Sequence, residues 1–125
     1  MRILIVEPDK ILGRTYKKAL EPFCEVVLAN SALDAINRAD HATPDLILLE
    51  PYMARHNGME FLYELKSYHE WSKVQIIILS SGDISGDYKT ASSDLRIIKS
   101  LQKSQTSLEE IVEEVKRVAA IESRA

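Results

Sequence analysis

Short, continuous apolar runs recur along the chain, and each one ends at polar or turn-forming residues. The runs lie at residues 3–6, 26–28, 46–49, 76–79 and 95–98. Runs of aliphatic and β-branched residues without polar alternation are typical of strands that are buried on both faces. The pattern therefore predicts five strands.

Between the runs, apolar residues recur at helical spacing. Residues 10–20 carry one apolar face, and residues 108–119 carry another with charged residues opposite it. Three pairs place a capping oxygen three residues before an acid, as helix N-termini do: Ser31 and Asp34, Asn57 and Glu60, Ser107 and Glu110. The fourth helix, around residues 88–91, is expected to be short because Gly82 and Gly86 disfavour helical backbone.

Strands and helices alternate five times along the chain. This order predicts a three-layer α/β fold, in which a five-stranded parallel sheet with right-handed crossovers carries helices on both faces. A length of 125 residues suits one domain, so a single domain is expected over residues 1–125.

The composition excludes several function classes. With 46% apolar and 28% charged residues, the chain resembles an ordinary globular protein. A formal charge of −3 does not indicate the excess of basic residues that nucleic-acid binding requires, so direct nucleic-acid binding is not expected. The first apolar run is too short for a secretory signal or a membrane span, and the lone Cys24 cannot form an intrachain disulfide. We expect a cytoplasmic protein without membrane association.

Polar residues stand directly after the predicted strands, where parallel sheets gather their functional groups. Glu7 follows the first run, Glu50 the third, Ser80 the fourth and Lys99 the fifth. Because a buried charge is costly unless it is paired, Glu50 and Lys99 are expected to form a partly buried ion pair. The sequence thus predicts a cluster of two acids, a hydroxyl and a lysine at the carboxyl edge of the sheet.

This order of residues resembles the receiver domain of two-component response regulators over nearly the whole chain. The similarity rests on Glu7, on Gly58 eight positions beyond Glu50, on Ser80 and on Lys99. The resemblance implies a doubly wound, flavodoxin-like receiver fold with strand order 2-1-3-4-5. In that family an aspartate after the third strand accepts a phosphoryl group from a histidine kinase. It shares a Mg²⁺ ion with two acids that follow the first strand.

The chain departs from the family pattern at the phosphoacceptor and at the metal site. Glu50 stands where the aspartate is expected, and its additional methylene adds about 1.5 Å of reach. Misplacement by roughly 1 Å can cost on the order of a hundredfold in rate. Pro8, which has no side-chain oxygen, stands where the second metal-binding acid is expected, so Glu7, Asp9 and Glu50 are at most a degenerate Mg²⁺ site. Arg96 stands at the switch position, where an aromatic residue is usual.

The roles of two acids stay open at this point. Glu50 is either a built-in stand-in for phospho-aspartate whose carboxylate reaches Ser80 or Lys99, or a strand-end acid that Lys99 neutralises. Asp9 could offer an oxygen to a metal ion, but capping and the helix dipole already explain an acid in the first turn of a helix.

Three functions are compatible with this pattern. The leading hypothesis is a non-enzymatic signalling module without a cofactor. It would bind a protein partner, or a second copy of itself, through the face formed by the fourth helix, fifth strand and fifth helix. A second hypothesis is a working receiver that accepts a phosphoryl group on Glu50 with weakly held Mg²⁺. A third is the N-terminal receiver of a longer regulator whose effector domain follows residue 125. No residue specifies the partner or the pathway.

Overall fold

The computed structural model describes residues 1–53, 58–84 and 86–124, apart from the side chains at positions 39 and 122–124. The strands are β1 (Arg2–Val6), β2 (Glu25–Ala29), β3 (Leu46–Leu49), β4 (Gln75–Ser80) and β5 (Ile97–Gln102). The α-helices are α1 (Lys10–Leu20), α2 (Ala32–His41), α3 (Gly58–Lys66), α4 (Gly86–Ala91) and α5 (Leu108–Arg124). Short 3-10 helices cover His69–Trp71 and Lys103–Gln105.

All five strands are parallel and lie in the order β2-β1-β3-β4-β5. Consecutive residues of the central strands point to opposite faces, and both faces are covered by helices. One core layer joins the sheet to α2, α3 and α4 through Ala35, Phe61 and Tyr88. The other layer joins the sheet to α1 and α5 through Tyr16 and Ile111. The predicted three-layer α/β fold and its strand order are confirmed.

Side-chain capping hydrogen bonds lie at two of the predicted helix N-termini. Ser107 Oγ accepts a hydrogen bond from Glu110 N, and Glu110 Oε1 accepts one from Ser107 N, both at 3.1 Å. Ser31 Oγ accepts from Asp34 N at 3.1 Å. The predicted cap at Asn57 lies outside the described residues. Helix α4 has six residues and is short, as expected.

The described helices include none with the length and apolarity needed to cross a bilayer.

The fifth strand begins later than predicted. Leu95 is buried but belongs to a turn, in which Leu95 N donates to Ala91 O at 3.0 Å. Arg96 has a φ of 56°, which redirects the backbone into β5 at Ile97. Because β5 is an edge strand, several of its residues are exposed and polar. It therefore does not form a continuous apolar run, and the apolar run at residues 95–98 predicts a strand that begins and ends too early. The carboxyl end of β5 is therefore at Gln102, four residues beyond the predicted end at position 98.

Two glycines each begin a helix, Gly58 in α3 and Gly86 in α4, and they differ in the space available for a side chain. A Cβ at position 58 would lie 2.7 Å from the Cα of Pro51, whereas a Cβ at position 86 meets no atom within 4 Å. We expect Gly58→Ala to lower the free energy of unfolding by about 1–3 kcal/mol, because the backbone at Pro51 must move. Gly86→Ala, the matched control, should change it by no more than about 0.5 kcal/mol. Urea unfolding measures both, and equal effects would contradict this steric reading.

Candidate functional site at the carboxyl edge of the sheet

Buried polar side chains concentrate at one end of the sheet. Among the described residues, the buried polar or charged ones are Glu7, Glu50 and Ser80. Glu7 follows β1, Glu50 follows β3 and Ser80 ends β4, and these three strands are neighbours at the centre of the sheet. The sequence prediction that these residues converge at the carboxyl edge is therefore confirmed.

The cation of the site is Lys103, the residue directly after β5. Its Nζ lies 2.5 Å from Glu7 Oε1 and 2.8 Å from Glu50 Oε1, and its side chain is only 15% exposed. Burial alone would lower the pKa of Lys103, but the hydrogen bonds and charges of Glu50 and Glu7 outweigh it, so the pKa is raised above the usual lysine value. One ammonium thus bridges two buried carboxylates.

Both carboxylate oxygens of Glu50 have partners. Oε1 accepts hydrogen bonds from Lys103 Nζ at 2.8 Å and from Ser81 N at 2.8 Å, and Oε2 accepts one from Tyr52 N at 3.2 Å. Tyr52 belongs to the segment after β3, and Ser81 belongs to the segment after β4. Two backbone N–H groups and an ammonium therefore form an anion-binding pocket, and the chain's own carboxylate fills it.

The hydroxyl of Ser80 points away from this carboxylate. Ser80 Oγ donates to Gly82 O at 2.6 Å and accepts from Gly82 N at 3.1 Å, so it closes the turn that follows β4. Glu50 reaches the backbone N–H of Ser81 instead of the Ser80 hydroxyl. Ser80 thus shapes the segment that carries one of the two N–H donors.

The expectation that Lys99 supplies the lysine of the site is wrong. Lys99 lies within β5 level with Ile77, its side chain is 47% exposed, and its Nζ is 3.9 Å from Glu114 on α5. An irregularity of register between Ile76 and Ile77 leaves Ile98 without a partner on β4. The strand then continues to Gln102, and only Lys103 reaches the carboxyl edge.

The assignment of Arg96 to the switch position is also wrong, because it was counted from Lys99. Arg96 precedes β5 at the opposite end of the sheet, where its carbonyl accepts from Ile76 N at 2.9 Å. Its charge acts on Lys66, whose pKa is lowered to about 8 by burial and, secondarily, by Arg96. Arg96 therefore belongs to the amino edge of the sheet and takes no part in the site.

A second set of contacts crosses the mouth of the site. The hydroxyl of Tyr52 donates to the carbonyl of Asp83, and Gln102 Nε2 donates to Asp83 Oδ1 at 3.1 Å. A Cβ on Gly82 would lie 3.5 Å from Cε2 of Tyr52, so the ring lies against the turn that Ser80 closes. These contacts join the segments after β3 and β4 to the end of β5.

Asp9 acts as a helix cap. Its Oδ1 accepts from Ile11 N at 2.9 Å and from Leu12 N at 3.1 Å, which satisfies two N–H groups of the first turn of α1. Asp9 N in turn donates to Glu7 Oε2 at 3.0 Å. The capping interpretation of Asp9 is confirmed.

The arrangement of oxygens does not suit the Mg²⁺ ion that the family resemblance implies. Mg²⁺ requires near-octahedral oxygen ligands at about 2.0–2.1 Å. Both oxygens of Glu7 and of Glu50 already bind Lys103 or backbone N–H groups, and Pro8 offers no side-chain oxygen. Within the described ranges, no three His, Cys, Asp or Glu side chains come close enough together to hold a metal ion.

These observations define a class of protein. A five-stranded parallel sheet with order 2-1-3-4-5 and helices on both faces carries two buried acids, a hydroxyl and a lysine beyond its carboxyl edge. This combination is that of a doubly wound α/β domain, a class in which functional groups gather at the carboxyl ends of the strands.

Sequence comparison assigns the family. The model of the response regulator receiver domain matches residues 3–116, and the chain belongs to this family of two-component signalling domains. The transcriptional regulatory protein MalR of Bacillus subtilis is 32% identical over 102 residues, which cover 79% of this chain and 38% of that protein. A Treponema denticola protein-glutamate methylesterase/protein-glutamine glutaminase is 31% identical over 84 residues, covering 65% of this chain and 22% of that protein. The chain thus spans less than two fifths of the length of these relatives.

Solved structures show the same fold at lower identity. The chemotaxis protein CheY4 of Vibrio cholerae superposes with a TM-score of 0.81 at 20% identity, covering 94% of this chain and 97% of the other. A CheY-like receiver domain protein from Methanospirillum hungatei gives a TM-score of 0.84 at 20% identity, covering 98% and 96%.

Lys103 and Lys99 form a matched pair for testing the site. We expect Lys103→Met to lower the free energy of unfolding by about 3–5 kcal/mol, because it leaves two buried carboxylates without a counter-charge. Lys99→Met should cost about 0–1 kcal/mol, because the Lys99 side chain is half exposed and lies 3.9 Å from Glu114, whose carboxylate Arg117 also binds. Adding Glu50→Gln to Lys103→Met should recover part of the loss in a urea double-mutant cycle. Simple additivity of these two changes would show that Glu50 and Lys103 are not coupled.

Proposed function

We propose that this chain is a receiver domain that works without phosphorylation, because the carboxylate of Glu50 takes the place of an aspartyl phosphate. The observation that carries the proposal is that both Glu50 oxygens accept hydrogen bonds, Oε1 from Lys103 Nζ and Ser81 N and Oε2 from Tyr52 N. In this reading Glu50 keeps the domain in one signalling conformation.

The length of the glutamate side chain supports this proposal. An aspartate at position 50 would place its oxygens about 1.5 Å closer to the backbone and would leave the two N–H donors and the ammonium open to an added anion. The additional methylene of glutamate brings a carboxylate to these donors directly. Like a phosphoryl group at that place, the carboxylate then joins the segments after β3 and β4 to the lysine after β5.

The same contacts argue against Glu50 as a phosphoacceptor. A nucleophilic oxygen needs a free lone pair directed at the phosphorus atom, and positioning together with electrostatic stabilisation supplies nearly all of the catalysis of phosphoryl transfer. Both oxygens of Glu50 are hydrogen-bonded, and Glu7 is bound to Lys103 and Asp9 N. Attack would require breaking these bonds without the metal ion that the family uses.

The output of such a domain is a binding surface. Pro51, the residue after Glu50, connects the site to α4. Gly58 N donates to Pro51 O at 3.1 Å, and a Cβ at position 58 would lie 2.7 Å from the hydroxyl oxygen of Tyr88, which is buried on α4. On β5, Ile98 is 42% exposed beside the exposed Lys99 and Ser100. We propose that a cytoplasmic protein partner binds this face of α4, β5 and α5, and that neither nucleic acid nor membrane is contacted directly.

A longer regulator is compatible with the same role. The curated relatives extend well beyond the matched region, since the chain covers 38% of MalR and 22% of the Treponema protein. In that case the face of α4, β5 and α5 would contact an effector domain of the same polypeptide. The role of Glu50 would be unchanged.

Intact-mass spectrometry after incubation with acetyl phosphate and Mg²⁺ tests the proposal. We expect no gain of a phosphoryl mass in the wild type, because both oxygens of Glu50 are held by hydrogen bonds and the metal site is incomplete. The variant Glu50→Asp combined with Pro8→Asp restores the acids of the family pattern and should gain the adduct. A stable adduct on the wild type that disappears in Glu50→Gln would show that Glu50 accepts the phosphoryl group.

Magnesium binding provides a separate test. We expect the wild type to bind Mg²⁺ more weakly than millimolar at neutral pH, since the ion would have to displace Lys103 from Glu7 and Glu50. Pro8→Asp alone should bind it more tightly, because it adds an oxygen next to Glu7. An NMR titration that follows the amides of Glu7 and Asp9 measures both, and saturable submillimolar binding by the wild type would contradict the expectation.

A further inference from the structure

The outer face of α1 is basic and contains no acid. Lys10, Arg14 and Lys18 are exposed, and Ile11 in the first turn is 71% exposed. In the part of the chain that the structure describes, none of these three cations is paired with an acid. An exposed isoleucine next to unpaired cations favours contact with a surface that is acidic and partly apolar.

The first two turns of α5 form such a surface. Glu109, Glu110 and Glu113 are exposed there, and Leu108 is 38% exposed. The next two basic residues of α5 follow these acids: Lys116 Nζ lies 3.8 Å from the exposed carboxylate of Glu113, and Arg117 is paired with Glu114 at 2.8 Å. The acids of α5 are thus complementary in charge to the cations of α1.

Helices α1 and α5 lie side by side on the same face of the sheet. Both contribute to one core layer, and Lys116 Nζ of α5 lies 4.1 Å from the centre of the Phe23 ring, just beyond α1. Each helix follows a parallel strand, so both begin at the carboxyl edge of the sheet and run in the same direction. The basic first turns of α1 are therefore level with the acidic first turns of α5.

We propose that two copies of the chain associate face to face through α1 and α5, about a twofold axis parallel to these helices. This axis places α1 of one copy over α5 of the other at both halves of the interface, so Lys10 and Arg14 face Glu109 and Glu113 of the partner subunit. The perpendicular twofold axis would place α1 over α1 and oppose cations to cations. Charge therefore selects one of the two symmetric arrangements.

The size of this face predicts a weak complex. Eleven residues of α1 extend about 16 Å, and two adjacent helices are about 20 Å wide, which gives a contact of roughly 300 Å² per subunit. Stable interfaces bury about 800 Å² per partner. A dimer held mainly by exposed charges should dissociate readily as salt rises.

Sedimentation of the full chain at low and at high salt tests the proposal with two charge-reversal variants. The first carries Lys10→Glu and Arg14→Glu, and the second carries Glu109→Lys and Glu113→Lys, which leaves the capping residue Glu110 intact. We expect the wild type to dimerise reversibly at millimolar concentration in low salt and to become monomeric in high salt. Each variant alone should be monomeric, and an equimolar mixture of the two should form a one-to-one dimer because both halves of the interface become attractive again.

Two results would overturn the proposal. A wild type that stays monomeric at millimolar concentration in low salt shows that α1 and α5 do not hold two copies together. A dimer that persists in the first variant shows that the copies associate elsewhere, for example through α4, β5 and α5. Recovery of the dimer in the mixture would also show that both variants are folded. These outcomes do not depend on whether Glu50 can be phosphorylated.

Discussion

Among the residues that the structure describes, two carboxylates are buried at the carboxyl edge of the sheet, and one ammonium, that of Lys103, lies between them. Lys103 neutralises one unit of the charge of Glu7 and Glu50. The rest is balanced by backbone dipoles, because Asp9 N, Tyr52 N and Ser81 N donate to the two carboxylates. These donors come from the start of α1 and from the segments after β3 and β4. Neutralising the buried charge thus determines how the connecting segments are arranged around the site.

The placement of the site follows from the topology of the sheet. Glu7, Glu50 and Ser80 end up together because β1, β3 and β4 are adjacent and parallel. Lys103 can reach across from β5 because that strand ends at Gln102 beside Ser80, and its long side chain spans the remaining distance to Glu50 and Glu7. A lysine that follows the edge strand β5 therefore forms ion pairs with the acids that follow β1 and β3.

The sequence predicts the central part of this fold better than its edge. Strands β1, β3 and β4 are buried on both faces, so they appear as uninterrupted apolar runs, and the polar residues Glu7, Glu50 and Ser80 stand directly after these runs. Strand β5 is exposed on one side and contains Lys99 and Ser100, so its apolar signal ends early. The lysine of the site was missed for this reason, although Lys103 is visible once the strand is extended. The N–H donors of Tyr52 and Ser81 could not be predicted, because every residue other than proline carries the same group.

The energetics of the network also explain why a single substitution would not restore a conventional receiver. Glu50→Asp alone would withdraw the carboxylate from Ser81 N and Tyr52 N and weaken its contact with Lys103, while Pro8 would still supply no metal oxygen. Pro8→Asp alone would add a third negative charge next to two buried carboxylates that share one lysine, and like charges repel one another. Each change is incomplete without the other, since Pro8→Asp alone leaves Glu50 bound to Lys103 and Glu50→Asp alone adds no oxygen for a metal ion. The effect of replacing Glu50 or Pro8 therefore depends on the other residue and on Lys103.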